Sequence, residues 1–293
     1  MTSAADRVPA PLLVLAGIVS VQFGGALAAT LVPVIGAGGS VVLRLLFASA
    51  LLLVFVRPRW RGHSHRARLT VIAFGVALGL MNFTFYSSLA HLPIGVAVTI
   101  EFIGPLSLAA ALSRRWLDAV AVAAAAAGVV LISEALSTPF ADLEKTGIAL
   151  ALLAGAFWAA YIVLAGRTGG EFPKLEGLAL AMVVATVVTL PLGITSAPSW
   201  SPDILLKAFG IAVLSSVLPY SLELLALRRL SAKVFGILLS LEPAFAALAG
   251  LLVLGQVLSP TQLVGMALVV AASALVLGLG ARQRPDPAEA AST

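Results

Sequence analysis

The sequence predicts an all-α integral membrane protein of ten transmembrane helices, arranged as two inverted five-helix repeats. Composition is the first observation behind this: 60% of the 293 residues are hydrophobic and 11% charged, where soluble domains carry about 25% charged residues. The second is a succession of apolar runs of membrane length, since crossing the roughly 30 Å hydrocarbon core takes about 20 residues. The third is a constant shift of 138 positions that carries the first half onto the second. It places Gly17 on Gly155, Phe23 on Tyr161, Asn82 on Tyr220, Leu92 on Leu230, Gly95 on Lys233 and Pro105 on Pro243. Identity is sparse, so the register of apolar segments and prolines carries the repeat. Each copy holds five segments, an odd number, so the second copy must enter the bilayer from the opposite face. Inverted repeats with ionisable groups near mid-membrane are the architecture of secondary transporters.

The expected spans are 11–32, 39–56, 69–89, 93–112, 117–136, 146–166, 175–196, 203–227, 232–254 and 260–280. They divide into a short N-terminal segment (1–10), a first repeat (11–136), a second repeat (146–280) and a disordered tail (281–293). Pro93 separates the third and fourth spans, because proline disfavours helix in the residue before it. Gly36-Ala37-Gly38-Gly39 reads as a short outer turn. Arg7, the apolar run from Leu12 and Ala26-Leu27-Ala28 imitate a cleavable signal peptide. Cleavage would leave nine spans and destroy the repeat, so the uncleaved reading is preferred.

Orientation follows from the loops. With the N-terminus cytoplasmic, Arg7, the five arginines of 57–68, Arg114, Arg115, Arg167, Lys174, Arg228, Arg229, Lys233, Arg282 and Arg284 fall on one side, 15 of 18 basic residues. This is the positive-inside pattern. Shifted by 138, the basic 57–68 loop lands on 195–206, which holds Asp203 and no basic residue. His91 stands likewise against Arg228 and Arg229. Both termini are expected in the cytoplasm. The net charge of +5 thus belongs to membrane topology, and no basic folded domain suggests nucleic acid. Gly24-Gly25, Gly75-x-x-x-Gly79 and the run Ala123 to Gly128 allow close helix approach. Packing within a monomer is the preferred use, with a weak homodimer as the alternative.

Four ionisable residues lie inside apolar spans: Arg44, Glu101, Glu223 and Glu242. Such groups cost about 2.5–3.5 kcal/mol on insertion scales and usually face a cavity or a partner. Glu101 is roughly 12 Å deep at helical rise, which makes it a proton-coupling or cation-binding candidate. Its alternative is a structural pair with Arg44, placed shallowly on the outer side. Glu242 precedes Pro243, whose missing amide frees a carbonyl near Leu239, so it either supports a kink or functions. Glu223, five residues before Arg228, has snorkelling to the inner surface as its alternative. Asn82 and Tyr86 share a helix face, as do Trp158 and Tyr161. With Tyr220 and the weaker candidate Gln22 they form the expected substrate-binding set. Trp60 reads as an interfacial aromatic.

Absent motifs narrow the class. The chain has no cysteine, no G-x-x-x-x-G-K-[ST] loop, and no H-E-x-x-H or G-x-S-x-G arrangement. His63-Ser64-His65 sits in an arginine-rich loop and reads as solvated. No metal or cofactor and no enzymatic centre is expected. A membrane-embedded binding or enzyme protein is the reading from a different class.

The segment SLEPAFAALAGLLVLGQVLSPTQLVGMALVVAAS (240–273) resembles the duplicated signature of the drug/metabolite transporter superfamily, in its EamA-type ten-helix members. That signature usually has Glu where Gln256 stands. The matching first-copy segment, IEFIGPLSLAAALSRRWLD, is about six residues shorter before the fifth span. GLMNFTFYSSL, GVAVTIEFIGPL and LPYSLELLALRRL resemble the inner-membrane threonine and homoserine exporters of that superfamily. The resemblance implies export of small zwitterionic amino acids from a bacterium by exchange with protons. Export of other metabolites or drugs is the alternative within it.

Topology is directly testable in this cysteine-free background. An impermeant maleimide applied to intact cells should label Ser199→Cys and spare Ser64→Cys. The reverse pattern would sink the orientation.

Overall fold

The computed structural model describes residues 8–133, 136, 139, 143–254 and 257–281. Arg7, Asp142, Gln256 and the tail from Arg282 lie outside the described residues. Among those described, the regular structure is entirely helical: α1 (Ala10–Ala29), α2 (Val32–Val56), α3 (His65–Ser88), α4 (Ile94–Ala111), α5 (Trp116–Ile132), α6 (Lys145–Glu171), α7 (Glu176–Gly193), α8 (Pro202–Ala212), α9 (Leu218–Leu227), α10 (Ala232–Leu239), α11 (Glu242–Leu254) and α12 (Pro260–Ala281). A 3-10 turn (Ile194–Ser199) extends α7, and a π-helical segment (Val213–Val217) joins α8 to α9 in one rod.

Seven of these stretches are long and apolar enough to cross a membrane: Val32–Val56, His65–Ser88, Ile94–Ala111, Lys145–Glu171, Glu176–Ser199, Pro202–Leu227 and Pro260–Gly278. Ten were expected. The apolar stretch Ala10–Gly25 of α1 and the whole of α5 are shorter, and 232–254 is divided into α10 and α11. The division has a local cause. Pro243 cannot donate to Leu239, and the Ser240 and Leu241 amides bond instead to Ile237 and Leu238, 3.1 Å each. Those tight turns end α10 and restart the chain as α11. Pro219 acts similarly on the eighth span: it leaves the Ser215 carbonyl without its helical donor, inside the π segment.

One expected turn is corrected. Gly36-Ala37-Gly38-Gly39 belongs to α2, which runs across a kink at Gly36 (φ 73°, ψ 171°). Only glycine takes that φ without strain. The extra residues lengthen α2 to 25, and Arg44 becomes its midpoint, twelve residues from either end. Arg44 lies on the longer limb, eight residues beyond the kink, and is buried.

Small residues draw the helices together within the chain. Gly75 and Gly79 of α3 lie against Ala181, Val184 and Ala185 of α7, Gly24 of α1 against Ser215, and Gly128 of α5 against Gly265 and Val269 of α12. α3 also packs on α6, α9 on α1, α2 on α7, and α4 on α6. The loops sort onto two faces. On one, the Arg59 amide donates to Glu176 (3.1 Å), Arg228 to the Lys174 carbonyl (3.2 Å), and Arg229 to the Val8 carbonyl (2.7 Å). Lys233 pairs with Asp118 there at 2.8 Å, and the His63 ring lies 4.2 Å from that of Phe172. Ser64 caps α3, accepting from the Ala67 amide at 3.1 Å. At the other face His91 bonds Glu144 at 2.9 Å and Gly38 meets Gly193.

The tightest approach tests the packing. A Cβ on Gly104 or Gly155 would collide with backbone of the other helix, whereas Gly166 has open space around it. Gly155→Val should destabilise the purified protein by about 1–3 kcal/mol, and Gly166→Ala should stay within about 0.5 kcal/mol. Equal melting temperatures for the two variants in detergent would refute the α4–α6 contact.

Candidate functional site

A chain of polar side chains runs through the buried interior of the bundle. Arg44 reaches from the middle of α2 to α3, where its Nη2 donates to Asn82 Oδ1 and its Nη1 to the Tyr86 hydroxyl at 3.2 Å. The guanidinium also lies 5.1 Å from the Tyr86 ring centroid, within cation–π range. Helical spacing puts Asn82 and Tyr86 on one face of α3, so one guanidinium meets both. Asn82 Nδ2 donates to the Leu78 carbonyl at 2.8 Å and to the Tyr220 hydroxyl of α9 at 2.9 Å. Arg44 and Asn82 are 4% and 6% exposed. Both are buried, so these bonds stand in for solvation.

Tyr220 stacks obliquely on Tyr161 of α6, ring centroids 5.6 Å apart. Tyr161 is fully buried and donates its hydroxyl to Glu223 Oε2 at 2.6 Å. Glu223 is itself buried. It does not snorkel: Glu223 lies on the inward face of α9 one turn from Tyr220, and the tyrosine hydroxyl holds it there. Glu242, at the first turn of α11, is near enough to interact electrostatically with both Glu223 and Glu101. Glu101 is buried on α4, where its backbone carbonyl faces Gly155 of α6. Trp158 covers the neighbouring residue, its ring edge-on to Phe102 at 4.9 Å.

The alternative for Glu101, a structural pair with Arg44, is not formed among the described residues. Arg44 turns to α3, and Glu101 lies on α4 beside α6. The substrate-binding candidates therefore divide. Asn82, Tyr86, Tyr161 and Tyr220 meet in one network, and Trp158 and Glu101 flank it on the α4 side. Gln22 does something the sequence did not suggest. Its side-chain amide donates to the backbone carbonyl of Glu242 at 3.4 Å, while Ser20, two residues earlier, donates to the Leu214 carbonyl at 2.7 Å. Both bonds from α1 serve backbone at the irregular points of the eighth and ninth spans. Sequence reasoning left out the π segment, although Ser215-Ser216 four and three residues before Pro219 was a usable signal.

A cavity of about 400 Å³ lies elsewhere, between α4 and α6, lined by Ile103, Gly104, Ser107, Leu108, Leu152, Ala156 and Ala159. Its walls are almost wholly apolar and Ile103 and Leu152 are exposed. It contains none of the polar network.

A multi-pass bundle that buries arginine, tyrosines and carboxyls among membrane-length helices has the construction of a membrane transporter. The model of the EamA-like transporter family matches residues 145–278. The threonine/homoserine exporter RhtA of Escherichia coli K12 is 39% identical over 264 residues, covering 89% of this chain and 88% of that protein. The exporter of the same name from Salmonella typhimurium LT2 is 39% identical over 265 residues, covering 89% of each. A crystal structure superposes with a TM-score of 0.73 at 18% identity, over 92% of this chain and 97% of the other, which establishes a shared fold. The chain belongs to the EamA-like transporter family, a family of transporters rather than enzymes.

Asn82 is the hinge of the network and can be tested without a transport assay. Asn82→Leu removes the acceptor of a buried cation and should lower stability by about 1.5–3 kcal/mol. Tyr86→Phe, which spares the Asn82 contact, should cost less. A melting temperature for Asn82→Leu equal to that of the parent would show that the Arg44–Asn82–Tyr220 contact is not made.

Proposed function

We propose that this protein is a secondary transporter of the bacterial inner membrane that exports small amino acids, threonine and homoserine among them, in exchange for protons. The observation that carries the reading is the buried polar network assembled from both halves of the chain. Transport of a zwitterion needs polar partners inside an otherwise apolar bundle, because its charges are costly to desolvate without them. The named function of the relatives, 39% identical over most of the chain, narrows the substrate to threonine and homoserine.

Two inverted repeats, 11–136 and 146–280, form ten spans in this reading, with α8 and α9 counted as one and α10 and α11 as another. The helix pairings support it. The 138-residue shift exchanges the α3–α6 contact with that of α9 and α1, and maps α2–α7 and α5–α12 onto themselves. Asn82 and Tyr220, partners under the same shift, touch. Residues related by a twofold axis touch only beside that axis, where alternating access pivots. The face joined by Arg59, Arg228, Arg229 and Lys233 is cytoplasmic on the positive-inside rule.

Glu101 is the coupling carboxylate. A proton or the substrate ammonium neutralises it, and the two compete when Glu101 faces one side of the membrane at a time. That competition is a physical basis for antiport. Proteoliposomes preloaded with threonine should accumulate labelled threonine by counterflow, which a fixed binding protein or an enzyme does not do. Glu101→Gln should keep counterflow while export driven by a pH gradient falls to the level of protein-free liposomes. Gradient-driven export equal to the parent would reduce Glu101 to a packing group beside Gly155.

A further inference from the structure

Arg44 carries a charge that its described surroundings do not balance. Its guanidinium is 4% exposed at the midpoint of α2, and its partners, Asn82 Oδ1 and the Tyr86 hydroxyl, are neutral. Its Nε is buried without a hydrogen-bond partner. No carboxylate forms an ion pair with it among the described residues; the ion pairs there are His91–Glu144 and Lys233–Asp118. The interior acids Glu101, Glu223 and Glu242 can each become neutral by taking a proton, but an arginine cannot shed its own. Leaving such a cation buried and unpaired is strongly destabilising. A fork of planar donors suits one kind of counter-ion above others, a carboxylate bound through two parallel N–H···O bonds.

Further unsatisfied hydroxyls lie close by. Ser40 is one turn before Arg44 on the same face of α2, and Ser216 is one turn before Tyr220 on the rod that packs against α2. Both are buried, and both Oγ atoms lack a partner. They are spare donors on α2 and on the rod packed against it. Glu223 is held by Tyr161, and among the described residues no carboxylate pairs with the guanidinium.

We infer that Arg44 is the receptor for the carboxylate of the transported molecule, which takes the place of Asn82 Oδ1 and the Tyr86 hydroxyl on the guanidinium. This rests on the amino-acid reading above and goes beyond it, assigning one end of the substrate to one residue. It also gives occupancy a route into the network. Asn82, once released by Arg44, loses the contact that holds it between α2 and the Tyr220 hydroxyl, and Tyr220 packs on the tyrosine that holds Glu223.

The test compares competitors of labelled-threonine counterflow in proteoliposomes of the unmodified protein. Threoninol and threonine amide keep the ammonium and the side-chain hydroxyl but lack the carboxylate. Each should need a concentration about 30-fold or more above that of threonine for half-inhibition, the lower bound for truncating one partner of a buried charge pair. Competition by threoninol equal to that by threonine would overturn the proposal while leaving the amino-acid reading intact. Absence of threonine counterflow would overturn both. Arg44→Lys, which keeps the charge and loses the fork, should narrow the gap between threonine and threoninol in protein shown to be monodisperse. An unchanged gap in that variant would place the carboxylate on another residue. If Arg44→Lys does not fold, the comparison in the unmodified protein decides.

Discussion

The bond between Asn82 and Tyr220 is the contact on which the polar interior depends. It spans 138 residues and ties α3 of the first half to α9 of the second. On one side of it stands Arg44, which uses the Asn82 carbonyl oxygen as its acceptor. On the other stand Tyr161 and Glu223, packed against and hydrogen-bonded behind Tyr220. An amide side chain is well suited to this position. Its oxygen accepts from the guanidinium while its nitrogen donates to both the Leu78 carbonyl and the Tyr220 hydroxyl, so its polar atoms are satisfied without water. An apolar residue there would leave a cation and a phenol facing each other in a medium that solvates neither.

Around that contact the helices are held by close approach rather than by apolar burial, because lipid tails and leucines are equally apolar and burial drives little association. Gly104 against Gly155, Gly128 against Gly265 and Gly75 against Ala181 are where backbones nearly touch. The places where helices depart from regularity depend on the same closeness. Irregular backbone at membrane depth survives only where protein can satisfy it. Here α1 does so, through Ser20 at the π segment and Gln22 at the α10–α11 break. One helix of the first half thus serves the two broken spans of the second. This is a structural job for Gln22, and it accounts for a mid-membrane glutamine outside the arginine network.

The same arrangement separates charge by kind. The guanidinium lies on the α2–α3 side of the two stacked tyrosines, and the carboxyls of Glu223, Glu242 and Glu101 lie on the α9, α11 and α4 side. Acids can exchange protons with whichever aqueous space reaches them, whereas arginine keeps its charge throughout. A carrier for zwitterions built this way has one end suited to a permanent anion and another suited to an exchangeable cation. The proposed exchange of an amino acid for protons would use both ends.

Much of this was legible in the residues. Length and hydropathy set where membrane helices occur, and Pro93 and Pro243 marked a break and a kink because a missing amide proton acts locally wherever the chain goes. The shift that places Asn82 on Tyr220 nominated two residues that turn out to touch. Other features were not legible. Gly36 to Gly39 looked like a turn because glycine-rich stretches usually are, yet helix resumes beyond the single positive-φ residue Gly36. Depth in a span can be counted along a chain, but the partner of a side chain cannot. Sequence by itself determined the class of protein and which ionisable residues fall within apolar stretches, because these depend on composition and local periodicity. Tertiary structure alone decided that Arg44 faces Asn82 rather than Glu101, that Glu223 meets Tyr161, and that Gln22 serves a backbone. Each of those depends on which helices lie within a few ångströms of one another, and packing geometry sets that.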